Sequence, residues 1–239
     1  MTDQSSGDHQ RVDRDGVSYT TRILGTTFAP LFCFFLAAGR LEIVAGWIYF
    51  AVLVAFGILN VALLAVGDPD LLNARGRTET DVVKSDRIVV GLYLVFTHVA
   101  APIAAGLQYR FRIHPGPAGT VPTVVGVAVL AAGALLENLA TCSNHHYERN
   151  IRLQTNRDHA VVTTGPYAVI RHPGYLAYIL KFAALPVALV SVWAVVPILL
   201  GVVSLIVRTA MEDRVLVKGL PGYADYAACV RFRLIPGVW

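Results

Sequence analysis

The sequence predicts an all-α integral membrane protein: four transmembrane helices and a C-terminal helical hairpin, five to six spans in all, with both termini cytoplasmic. Three observations predict this. Only 15% of the 239 residues are charged and 55% are hydrophobic, where a soluble domain carries about 25% charged residues, and the mean hydropathy is +0.57. Four apolar segments approach or exceed the roughly 20 residues that carry a helix across a hydrocarbon core. Lys and Arg collect in alternate connections.

The four spans are Ile23–Ala38, Leu41–Val66, Ile88–Leu107 and Val121–Ala140. A fifth apolar region, Tyr175–Val207, is interrupted by Pro186, Ser191 and Pro197 and reads as two short helices forming a hairpin. All must be helical, because lipid offers no partner to an exposed backbone amide. Residues 1–22 read as a polar tail without the apolar core of a signal peptide, residues 23–120 as N-terminal transmembrane helices, and residues 121–239 as the region that holds the unusual polar residues. Cys33, Cys142 and Cys229 are scattered and form no disulfide framework.

Of the twenty Lys and Arg, sixteen lie in four segments. These are the N-terminal tail, the 2–3 loop (Arg75, Arg77, Lys84 and Arg87), the 4–5 loop (Arg149, Arg152, Arg157 and Arg171) and the C-terminal tail. Arg40, Arg110 and Arg112 face the other side, and Lys181 lies within a span, from which it is expected to snorkel to the interface. The positive-inside rule then places the termini and even loops in the cytoplasm. The same layout explains the sequence pI of about 9.1 through anionic lipid headgroups, so membrane lipids and not nucleic acid are the expected partners.

The polar residues cluster near the cytoplasmic ends. In "GPYAVIRHPGYLAY", residues 165–178, Pro173 suits the first turn of a helix that begins just after Arg171 and His172. A helix start beside an arginine can hold an anion, most simply a carboxylate; the alternative is an interfacial loop whose tyrosines form an aromatic belt. Glu137, beside Asn138, sits near the inner end of span four. Arg208 and Glu212 are spaced for an i, i+4 pair on one helix face, with Asp213 adjacent. His145 and His146 are neighbours, with His159 and His172 further on, but no HxxH or HxxxH spacing occurs, so no metal site is expected. No GxG, P-loop or GxSxG pattern is present.

The stretches "NIRLQTNRDHAVVTTGPYAVIRHPGYLAYIL" and "RTAMEDRVLVKGLPGYADYAACVRFRLIPGVW" resemble the isoprenylcysteine carboxyl methyltransferase family and its phospholipid-methyltransferase relatives. The matching elements are G-P-Y, R-H-P-x-Y, an acidic pair following an arginine, the tyrosine-bearing GLPGYADY and the closing R-L-I-P-G-V-W. The likeness covers roughly residues 137 to 239. It implies S-adenosylmethionine as methyl donor, bound in a non-Rossmann pocket on the cytosolic face, and a lipidic or prenyl-type acceptor methylated on a carboxyl group. Carried over by residue, it implies catalytic roles for Arg171 and Glu212. It implies cofactor-binding roles for Tyr167, His172, Pro173, Tyr175 and Asp213, the last standing where the family more often has a second Glu.

Two alternatives belong to other classes. A membrane reductase of the sterol-reductase kind would use NADPH, but its H-P-N-Y-x-G-E pattern is met here by Gly174, Ala177 and Tyr178 in place of Asn, Gly and Glu. A non-catalytic membrane scaffold would need no small-molecule pocket.

Overall fold

The computed structural model describes residues 11–77, 84–113, 119–147 and 160–239; Arg149, Arg152, Arg157 and His159 lie outside the described residues. Among the described residues there are helices and no strands. In order they are α1 (Arg14–Ala38), α2 (Val44–Gly67), the short α3 (Pro69–Gly76), α4 (Lys84–Leu94), α5 (Ala101–Arg110), α6 (Thr120–Ser143), α7 (Pro173–Ala188), α8 (Val195–Gly219) and α9 (Tyr223–Cys229). Five helical stretches are long and apolar enough to cross a membrane: α1, α2, the continuous stretch Ser85–Arg110, α6 and α8. The sixth apolar helix, α7, has 16 residues.

Helix α1 begins nine residues earlier than the hydropathy suggested, so part of the expected tail is helical. Asp13 caps it, accepting from the amides of Asp15 and Gly16 at 2.8 and 3.0 Å. The extension packs on α3: a Cβ on Gly76 would lie 1.8 Å from the Asp15 carbonyl oxygen, so only glycine permits this approach. Asp68 ends α2 and accepts from Leu71 N–H at 2.9 Å to start α3, with Pro69 at its first position. Between α4 and α5 the helix widens into a π-type turn, Val95–Ala100. It lies just before Pro102, whose missing N–H already breaks the regular ladder.

The C-terminal hairpin differs from the expectation of two short helices. Pro197 falls in the first turn of α8, where no amide hydrogen is required, and Pro186 falls in the last turn of α7, so neither breaks the chain. The break is Leu189–Ala194, and α8 runs for 25 residues. Gln108 of α5 holds this turn. Its amide nitrogen donates to the Val190 carbonyl at 3.0 Å, and its oxygen accepts from Ser191 Oγ and Trp193 N–H, each at 3.1 Å. Tyr109 OH donates to the Leu189 carbonyl at 3.1 Å, while Arg40 Nη2 donates to the Tyr109 carbonyl at 2.6 Å. The hairpin turn therefore lies at the same end of the bundle as the α1–α2 and α5–α6 connections.

Packing around the hairpin depends on small residues. A Cβ on Gly126 would lie 2.3 Å from Ala188 N, and one on Gly133 would lie 2.9 Å from the Ala177 carbonyl, so α6 and α7 meet backbone to backbone. Phe34, Phe50, Leu130, Leu189 and Ala184 are fully buried beside this contact. Outward positions such as Leu36, Leu63, Leu139 and Val203 stay exposed, as a lipid-facing surface requires.

Candidate active site

At the end opposite the hairpin turn, the chain forms a partly open cavity of about 230 Å³. Its lining includes Arg171, Glu212, Tyr167, His172 and Tyr175, which the sequence placed in a site, together with Gly174. Pro173 and Asp213 are not among the lining residues. Pro173 starts α7, and Asp213 stands behind the wall.

Local chain geometry explains how these side chains are aimed. A 3₁₀ turn, Gly165–Ala168, opens with Gly165 at φ 59°, a value few residues other than glycine adopt. It is pinned by Tyr226 OH, which donates to the Tyr167 carbonyl at 2.7 Å. Arg171 and His172 then run alongside the C-terminal segment, donating from their amides to the carbonyls of Phe232 and Arg233, both at 2.9 Å. That segment is closed on itself, with the amides of Arg233, Leu234 and Ile235 all directed to Trp239 O. The last residues of the chain thus act as a clasp on the R-H-P motif.

Asp213 joins the clasp to the cavity wall. Its carboxylate accepts from Arg233 Nε at 2.8 Å and from Tyr223 OH at 3.2 Å, and it meets His172 Nε2 at 3.2 Å and Arg171 Nη1 at 3.4 Å. Asp213, Arg171 and His172 are all buried. A carboxylate so enclosed is tolerated because cations and donors surround it. Arg171 keeps a further donor: its Nε is buried and has no hydrogen-bond partner. Glu212, half-buried on the cavity side of α8, accepts from Tyr175 OH.

Two readings of the polar residues are corrected here. Arg208 reaches across to another helix. It is buried and forms a bidentate pair with Asp86 of α4, Nε to Oδ1 at 2.7 Å and Nη2 to Oδ2 at 3.2 Å, with its guanidinium over the Tyr175 ring at 5.5 Å. Lys181 does not snorkel outward. Its Nζ meets Glu137 Oε2 at 2.5 Å, and both line the cavity. Asn138 ties α6 to α2, its oxygen accepting from Asn60 Nδ2 at 2.7 Å in a buried pair. His145 pairs with Asp68, while His146 lines the cavity.

The N-terminal helices contribute more to the cavity than the sequence suggested. Tyr19, Arg22, Asn60, Arg75 and His98 all line it. Deeper in the bundle the lining becomes apolar, with Pro30, Leu53, Phe182 and Leu185. Tyrosines are the commonest polar residues of the wall. Burial pushes the phenols of Tyr147, Tyr167 and Tyr223 well above their ordinary value and that of Tyr226 up to about 12. They therefore remain neutral, presenting hydroxyl donors and ring faces.

Fold and site together define a multi-pass helical membrane protein with a deep cavity, cationic and tyrosine-rich at one end and apolar toward the middle. Residues 138–218 match the sequence profile of the isoprenylcysteine carboxyl methyltransferase (ICMT) family. The match indicates a membrane methyltransferase, and it includes Arg171, Glu212 and the α7 start. No curated protein matches the chain.

Proposed function

We propose that this protein transfers a methyl group from S-adenosylmethionine to a carboxylate on a lipidic acceptor. The observation that carries the reading is the convergence of Arg171 and Glu212 on one cavity whose other end is apolar. The donor's chemistry fits the residues present. Its sulfonium suits ring faces such as those of Tyr167 and Tyr175, and its amino-acid end needs a cation. When bound, the donor supplies an electrophilic methyl group.

Arg171 is the residue to hold the acceptor. Asp213 occupies one side of its guanidinium, and the buried Nε has no hydrogen-bond partner. A carboxylate is already a nucleophile, so carboxyl methylation requires no base and depends on holding the reacting groups in contact away from water. Glu212 then acts by position: its engagement with Tyr175 OH fixes the tyrosine ring and leaves negative charge near a sulfonium. The apolar lining around Pro30, Leu53 and Leu185 accepts the acceptor's hydrocarbon part. The family match favours methyl transfer over the NADPH reductase reading, and a cavity lined by buried charged groups argues against a scaffold without a ligand.

His172→Ala and Tyr175→Ala should each weaken S-adenosylmethionine binding by purified, folded protein, by roughly tenfold for the loss of one polar or aromatic contact. Calorimetry that finds both affinities unchanged would move the donor elsewhere. NADPH binding by the wild type would favour the reductase reading.

The site is proposed to face the cytoplasm, on the charge asymmetry of the loops. With the native cysteines replaced, a single cysteine at Arg112 should be labelled by an impermeant reagent from outside intact cells, and one at Arg77 should not. The reverse pattern contradicts the orientation.

A further inference from the structure

Arg75 is a buried cation that no carboxylate among the described residues contacts; Glu137, which acts on it from further off, is held by Lys181. Arg75 lies on α3, outside the segment that matches the family, and it is 6% exposed. Its guanidinium sits 4.9 Å from the ring centroids of both Tyr19 and Tyr147. Its Nε and Nη1 are buried without a hydrogen-bond partner, and no carboxylate among the described residues pairs with it. The cavity cations Arg171 and Arg208, both buried, and Lys181, partly buried, differ. Arg171 has Asp213, Arg208 has Asp86, and Lys181 has Glu137. Ring faces can stabilise a guanidinium, but they do not accept its in-plane N–H groups, and leaving charged donors unmet in a buried site is costly.

The α7 start, which the sequence offered as an anion site, has little left to give. Pro173 has no N–H, the amides of Tyr175 and Leu176 are directed to the His172 carbonyl, and Tyr147 packs against Gly174, whose Cβ would lie 2.2 Å from its hydroxyl. The same Tyr147 ring that covers the helix start lies over Arg75. Beside Arg171 Nε, the unmet cationic donors of this wall are therefore those of Arg75.

We infer that Arg75 binds a carboxylate of a small molecule held in the cavity. The inference rests on the methyl-transfer reading for its ligand: the carboxylate comes from the amino-acid end of the donor or from the acceptor. Calorimetry on the full-length purified protein separates these sources. The probes are S-adenosylmethionine, its decarboxylated analogue, and, with S-adenosylhomocysteine bound, dodecanoate against dodecanol. Arg75→Met should weaken one carboxylate probe about ten- to a hundredfold, the loss expected for a charge-assisted contact, and leave its carboxylate-free counterpart unchanged. Selective loss of S-adenosylmethionine assigns the donor; selective loss of dodecanoate assigns the acceptor. Arg75→Lys keeps the charge without the planar fork and should give an intermediate loss; it carries the test should Arg75→Met fail to fold. Unchanged affinity for both carboxylates, or equal losses for probes with and without one, overturns the inference. A wild type that binds neither donor analogue defeats the methyl-transfer reading instead, while the dodecanoate comparison, run without S-adenosylhomocysteine, still reports on Arg75.

Discussion

Replacing Arg171 by alanine should lower turnover about 10²–10³-fold, the scale of losing a preorganised charge stabiliser in a water-excluded site, with donor affinity changed far less. Arg171 is buried at the cavity wall with one Nη on Asp213 and an unpartnered Nε. Its removal takes away the group proposed to orient the acceptor, while Asp213 keeps Arg233, Tyr223 and His172 as partners. The clasp is made by backbone amides of residue 171 and 172, so it survives the truncation. Arg171→Lys should recover only part of the rate, since an ammonium lacks the fork that meets Asp213 and an acceptor together. Single-turnover rates at saturating donor separate the two effects. A loss confined to donor affinity would assign Arg171 to donor binding.

Asp213→Ala should be the most destabilising change at the site, at about 3–5 kcal/mol, the cost of removing one partner from a buried ionic cluster. It strands Arg171 and His172 in a buried wall and releases Tyr223. Arg233 is partly exposed and can turn to solvent, so the C-terminal clasp loosens. Asp213→Asn keeps the shape and one acceptor oxygen, and should cost less than Asp213→Ala. Thermal unfolding in detergent measures the stability, and limited proteolysis of the segment 231–239 reports the clasp. Equal melting temperatures for wild type and Asp213→Ala would show that the cluster does not hold the site together.

The spans were legible because a membrane crossing imposes length and hydropathy on a contiguous segment, as α2 and α6 illustrate. Pro197 reads as a breaker in the sequence but does not interrupt the hairpin, because in the first turn of α8 a proline costs no hydrogen bond. The site was legible where it is local: Tyr167, Arg171, His172 and Tyr175 fall within one short motif, and one helix start aims them. Its remaining partners are set by tertiary packing. Arg208 and Asp86 are 122 residues apart and Lys181 and Glu137 are 44 apart, so an i, i+4 pattern could not reveal either pair. Arg75 was counted only as a loop charge. The cue that could have found it is the Asp68–Pro69 pair, a helix cap followed by proline, which marks α3 as an ordered element.

The central claim is that this cavity performs methyl transfer from S-adenosylmethionine with Arg171 at its centre. The most direct test incubates membranes containing the wild type, the Arg171→Ala variant or neither with methyl-labelled S-adenosylmethionine, and follows label entering lipid or peptide by mass. The account predicts a labelled product that depends on the wild-type protein, releases methanol on mild alkaline hydrolysis as a methyl ester does, and is lost in Arg171→Ala. Equal labelling by the wild type and Arg171→Ala, or none above protein-free membranes, would contradict it.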